Sequence, residues 1–237
     1  MAWLYAAVLV VWGNLASALL GPSARLPGGS WAFVMSGAAL IGVSLLFARA
    51  TGLDRGALGL ASAGVRGAAM AAAAAAVVAL VAVALLRWIA PVIVGVELDY
   101  APLARVTPFE LGLHVMFFLP LGAVVPEELA FRGVLLGALT RGPGMRTGVA
   151  VSAAAFALWH AAVVVVTIGE TTLGPASSWS VAAVIGGLIV VFGGGVVFAL
   201  VRLRLGTLAS AIAAHWAFNA LVLLGLRYAT PVPQLAP

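Results

Sequence analysis

Seven apolar stretches, roughly 2–20, 31–48, 67–87, 109–140, 148–166, 181–201 and 207–226, fill most of this 237-residue chain. Each is long enough to cross a bilayer, which takes about 20 helical residues. No water reaches backbone amides inside the hydrocarbon, so only helices and closed barrels span it. Barrel strands alternate in polarity over about 10 residues. These runs are longer and apolar all round. The fold class expected is therefore all-α: a polytopic transmembrane helical bundle of about seven spans, within a range of six to eight. Residues 89–96 set that range, because they are apolar but short. They either extend the third stretch past Pro91 or dip into the interface. The fourth stretch is too long for one straight span. It holds Pro120 and Pro126, which predicts a kink or a break.

Composition agrees. The chain is 64% hydrophobic and 8% charged, against about 25% charged in a soluble domain. That excludes an ordinary soluble fold and a disordered chain alike. All 12 basic residues are arginine. In a soluble protein they would suggest a nucleic acid. Here they sit between apolar runs, where topology needs them, so the expected partner is the lipid bilayer and no nucleic acid. The connections after spans two, four and six carry seven: Arg49, Arg55, Arg66, Arg141, Arg146, Arg202 and Arg204. The other side carries four: Arg25, Arg87, Arg105 and Arg227. The richer side should be cytoplasmic, with the N-terminus inside. The absence of cysteine excludes disulfides and thiolate chemistry.

Ala16-Ser17-Ala18 resembles a signal cleavage site. Residues 1–20 hold no Lys or Arg, however, and the run exceeds the about 7–15 residues of an h-region, so it is read as a first span. The alanine-rich run 68–76 reads as a surface for close helix packing. Gly186, Gly187, Gly193, Gly194 and Gly195 make the sixth stretch smooth, for packing or for a flexible gate. The chain divides into N-terminal helices (1–107), a helical core (108–228) and a short tail (229–237).

Ionisable groups inside spans cost about 2.5–3.5 kcal/mol each on insertion scales and mark function. The fourth span has Glu110 and His114 near its outer end, then Glu127, Glu128 and Arg132. The fifth has His160, and the seventh has His215 with Asn219 a turn later. Elsewhere Asn14 is the mildest exception. At about 1.5 Å per residue, Glu128 lies about 20 Å from Arg141, His160 about 21 Å from Arg146, and His215 and Asn219 about 16 and 22 Å from Arg204. Those helices run in different directions, yet the groups fall in one layer near mid-membrane. One site between spans four, five and seven is the economical reading. Glu127 and Glu128 point about 100° apart. Glu128 and Arg132 are i,i+4, the favourable order for an ion pair, which leaves Glu127 as the free carboxylate. His215 and Asn219 share a face, as do Phe156 and His160. His114 and Glu110 lie outside this layer and read as interfacial; Glu97, Asp99 and Glu170 read as loop charges.

Three intramembrane protease chemistries fail on the residues. There is no GxSG, the only aspartates are Asp54 and Asp99 in connections, and none of the three histidines begins an HExxH. A glutamate, two histidines and an asparagine remain. Glu127 with His160 can polarise and deprotonate a water, and His215 and Asn219 can donate to an oxyanion. Glu127, His160 and His215 are equally a possible set for a divalent metal such as zinc.

Three short motifs carry a resemblance. P-E-E-L-A-F-R-G (126–133) is similar to the EExxxR motif of the CPBP family (CAAX proteases and bacteriocin-processing enzymes, also called Abi). F-A-L-W-H (156–160) resembles its FxxxH motif, and H-W-A-F-N (215–219) its HxxxN motif. They occur in order, on separate spans, over about 110–225. The resemblance implies an intramembrane endopeptidase, a family often labelled metalloprotease. By it, Glu127 looks like the water-activating glutamate with His160 its partner, His215 and Asn219 like the oxyanion pair, and Glu128, Arg132 and Phe156 like supporting residues. It also implies glutamate-driven hydrolysis with no required metal. The arginine-only, alanine-rich composition points to a bacterial cell membrane, where the substrate is a peptide or a membrane protein rather than a prenylated tail. A non-catalytic scaffold or immunity factor, and a proton-coupled transporter, are the competing readings.

Overall fold

A computed structural model describes residues 1–20, 31–61 and 64–229. Arg25 and the tail beyond Ala229 lie outside the described residues. The helices are α1 (Ala2–Leu20), α2 (Trp31–Ala50), α3 (Val65–Val94), α4 (Ala101–Ala104), α5 (Pro108–Arg141), α6 (Met145–Trp159), α7 (Ala161–Gly169), α8 (Ser180–Leu205) and α9 (Leu208–Tyr228). Six are long and apolar enough to cross a membrane, and α6 with α7, bent by 42°, makes a seventh span. The bundle is all-helical, as the hydropathy requires. Residues 90–94 continue α3 beyond a π-helical turn at Leu85–Ile89, so the apolar segment past Pro91 extends the third span.

Of the kink or break expected in the long fourth span, the break does not occur. α5 runs through Pro120 and Pro126 as one helix, without a break. Proline removes an N–H and crowds the carbonyl of the preceding turn. Wider π-helical turns at His114–Phe118, Pro120–Val124 and Leu129–Leu135 absorb that conflict along the helix. A capping box fixes where it starts: Thr107 accepts from the Glu110 N–H, and Glu110 returns a bond to the Thr107 N–H at 2.8 Å. The break falls in the fifth span, at His160, whose φ −87 and ψ 3 are not helical while Trp159 before it and Ala161 after it are in helices.

The N-terminal helices share the core of the rest. Tyr5, Leu9, Leu40, Ala48, Phe131, Leu135, Phe156 and Trp159 form one buried cluster drawn from α1, α2, α5 and α6. Tyr5 donates to the Ser44 hydroxyl at 2.7 Å and stacks on Phe47 at 4.3 Å. α3 lies along α9 through small residues. Ala71 packs with Ala211 and Ala214, and a Cβ on Gly225 would stand 2.7 Å from Val83. The alanine run therefore serves close approach.

The arginine-rich connections meet at one end of the bundle. Arg141 pairs with Asp54 at 2.5 Å, and Arg202 donates to the Gly56 and Ala57 carbonyls. The Ala57 backbone N–H and then Arg141 hold the Asp54 carboxyl below the usual carboxylate range. Gly59, at φ 73, lets its carbonyl accept from Leu208 N–H at 2.8 Å. At the opposite end, Asp99 pairs with the buried Arg87 at 2.6 Å, and the strap 97–101 bonds to Glu170 and Thr172 after α7. The arginine asymmetry predicts which end is cytoplasmic. A membrane-impermeant thiol reagent on intact cells should label Glu97→Cys, and Arg55→Cys only after permeabilisation; the reverse pattern would invert the orientation.

Candidate active site

A desolvated charge cluster lies at the middle of the bundle. Glu128 and Arg132, one turn apart on α5, pair at 2.8 Å with both side chains fully buried. The same carboxylate oxygen takes His215 Nδ1 from α9 at 2.9 Å. Arg132 also reaches the Gly195 carbonyl of α8 at 3.4 Å and lies 4.0 Å over the Phe156 ring of α6. A Cβ on Gly195 would stand 3.0 Å from Ala153, so only glycine lets α8 sit that close. His215 stacks on Phe198 at 4.9 Å. Ser152 donates to the Phe131 carbonyl at 3.0 Å, satisfying one acceptor in the π-helical turn. One ion pair thus ties α5, α6, α8 and α9 together.

Glu127 faces the other way, into a cavity of about 720 Å³ that His160 and Asn219 also line. Glu127 Oε2 stands 3.7 Å from His160 Nε2. That is too long for a direct hydrogen bond. His160 Nδ1 lies 2.8 Å from the Phe156 carbonyl. A carbonyl only accepts, so Nδ1 carries a proton, and in the neutral imidazole Nε2 presents a lone pair toward the carboxylate. Two acceptors therefore face one gap, which asks for a donor between them. Phe156 holds both ends of this geometry: its carbonyl fixes the imidazole tautomer, and its ring edge meets the imidazole at 4.4 Å.

The histidine–asparagine pair divides. Asn219 is in the cavity wall, half-buried, and among the described residues no hydrogen bond holds its amide. His215, a turn earlier, is buried against Glu128 and Phe198. Glu127, His160 and His215 do not form a metal set: among the described residues no three His, Asp or Glu side chains converge as ligands.

His114 departs from its interfacial expectation. It is 3% exposed, lines the same cavity, and its buried Nδ1 has no hydrogen-bond partner. Counting residues along α5 gives its distance from Glu127 along the helix. It did not show that the cavity extends to that level. The sequence also gave α1 no part in the site, yet Trp12 and Gly13 border the cavity.

Residues 109–221, just under half the chain, match the family model described as type II CAAX prenyl endopeptidase Rce1-like. The three motifs all lie inside that segment, and over it the chain is similar to the Rce1-like CAAX proteases, in agreement with the resemblance to the CPBP family. No curated protein and no solved structure matches the chain. That similarity supports a membrane endopeptidase at family level, and the six to seven candidate spans fit an integral multi-pass protein.

The buried pair makes a strong stability prediction. Glu128→Ala should cost about 3–5 kcal/mol by leaving Arg132 buried and unpaired. Glu128→Met with Arg132→Met together should recover most of that. Thermal unfolding in detergent checks both.

Proposed function

We propose that the chain hydrolyses a peptide bond at or within the membrane, by a water activated between Glu127 and His160. The facing of the Glu127 carboxylate and His160 Nε2 across 3.7 Å, on the wall of a largely apolar cavity, carries this reading. A water there donates one hydrogen to each acceptor, which directs an oxygen lone pair outward at a carbonyl carbon. As the water oxygen bonds to that carbon, its proton passes to the Glu127–His160 pair and the carbonyl oxygen becomes an oxyanion. The free Asn219 amide donates to that oxyanion. Collapse then breaks the C–N bond, and the held proton goes to the leaving amine. Charge and atoms balance without a covalent enzyme intermediate.

His215 adds a second donor only as the imidazolium, because its Nδ1 is already committed to Glu128. Its principal task in this scheme is to hold the α9 turn that bears Asn219. No step is routed through a metal, since the candidate ligands are not gathered for one. The substrate class is a peptide or a membrane-protein segment lying against the apolar cavity wall.

The protein in detergent, incubated with a proteome-derived peptide library, tests the scheme. Glu127→Gln should abolish cleavage with the fold intact. Asn219→Ala should lose about 10²–10³ in rate. Wild-type cleavage should survive a chelator. Cleavage lost to the chelator and restored by zinc would replace the glutamate scheme with a metal one. Equal cleavage by wild type and Glu127→Gln would overturn the catalytic assignment, and an absence of cleavage by well-folded wild type would favour the scaffold reading.

A further inference from the structure

We infer that Asn14, on α1, is a positioning residue for His160: its carboxamide fills the break between α6 and α7 and sets the bend that presents the imidazole. The inference rests on the reading of His160 as half of the water-activating pair.

In an unbroken helix the Ala162 N–H would donate to the Leu158 carbonyl. The turn at His160, with φ −87 and ψ 3, separates those groups, and α6 and α7 meet at 42°. The Asn14 side chain spans the gap. Its Nδ2 donates to Leu158 O at 2.9 Å, and its Oδ1 accepts from Ala162 N–H at 2.9 Å. A second Nδ2 bond, to Val10 O at 2.8 Å, ties the amide to its own helix. Only one orientation of the amide fits, because both carbonyls need a donor and the N–H needs an acceptor. One side chain therefore replaces the missing helical bond from both sides, and His160 lies between the two residues it grips.

The location makes this necessary. Leu158 is exposed on the outside of the bundle, in a span. Hydrocarbon offers no partner for a freed carbonyl or amide, so a broken helix there needs a polar insert. The neighbouring residue makes the approach possible: a Cβ on Gly13 would lie 2.3 Å from the Trp159 ring. Gly13 lets α1 come against the residue before His160, and Asn14 supplies the bonds. Both lie outside the segment that matches the family, 109–221.

The consequence falls first on His160. Its Nδ1 bond to Phe156 O and the aim of its Nε2 at Glu127 depend on the turn the break creates. Leucine at 14 has the branching and heavy-atom count of asparagine and suits an apolar span, but cannot bridge. Asn14→Leu should lower kcat about 10²-fold, with a much smaller change in KM. The α7 residues on the cavity wall, Val163 and Thr167 among them, move with the bend, but most of the wall comes from other helices.

Two readouts on the full-length protein decide the matter. Steady-state kinetics on a peptide cleaved by wild type give the kcat and KM split. The chain has no cysteine, so spin labels at Met145→Cys and Glu170→Cys report the distance across α6 and α7. With asparagine at 14 the distribution should be narrow; with leucine it should broaden and lengthen as the bend relaxes. A fall in kcat together with that shift supports the inference. Either change without the other, or neither, overturns it. Should Glu127→Gln also cleave, the catalytic reading fails instead, while the spin-label distances still show whether Asn14 sets the bend.

Discussion

The Glu128–Arg132 ion pair is the constraint on which the site depends. Both side chains are fully buried in the middle of a membrane protein, where an unpaired charge is heavily disfavoured. Each group therefore holds whatever is bonded to it. Glu128 draws in His215, and with it the α9 turn that ends in Asn219. Arg132 draws in the Gly195 carbonyl and lies on the Phe156 ring. Phe156 in turn supplies the carbonyl that sets the His160 tautomer. Three of the four reactive groups are oriented through contacts that lead back to one carboxylate oxygen.

Adjacent glutamates on one helix thereby take different tasks. The angular offset of about 100° between neighbours sends Glu128 into the packed interior and Glu127 to the cavity wall. The first is committed to an ion pair and adds rigidity. The second faces the His160 imidazole across a gap of 3.7 Å and has no direct hydrogen bond to it. The π-helical turn beginning at Leu129 widens α5 where Arg132 must fit beneath Phe131 and Phe156. Such turns recur at functional sites, and here the extra width lies beside the reactive carboxylate.

Much of this could be read from the residues. Span positions follow from apolar runs, because the bilayer leaves a chain no other way to satisfy its backbone. The i,i+4 pairing of Glu128 with Arg132 and the freedom of Glu127 follow from helical geometry alone. The break at His160 was not legible: no glycine or proline marks it, and its cause is a side chain from α1, distant in sequence. Proline does not break α5, where π-helical turns carry the helix past Pro120 and Pro126. His114 was misplaced because depth along one helix does not reveal how far a cavity shared by several helices extends. Asn14 stood out as a polar residue in an apolar span, but only the fold shows which carbonyl and amide it serves.

The central claim is that the cavity holds a tetrahedral oxyanion between Glu127 and Asn219. A peptide bearing a phosphinate at the cleaved bond mimics that species, and its affinity is the most direct measurement. Calorimetry with wild type and Asn219→Ala should show binding weakened about 10²-fold in the variant, the loss expected for one oxyanion donor. Equal affinity for both proteins would contradict the account, since it would place the oxyanion away from the amide that the fold leaves free.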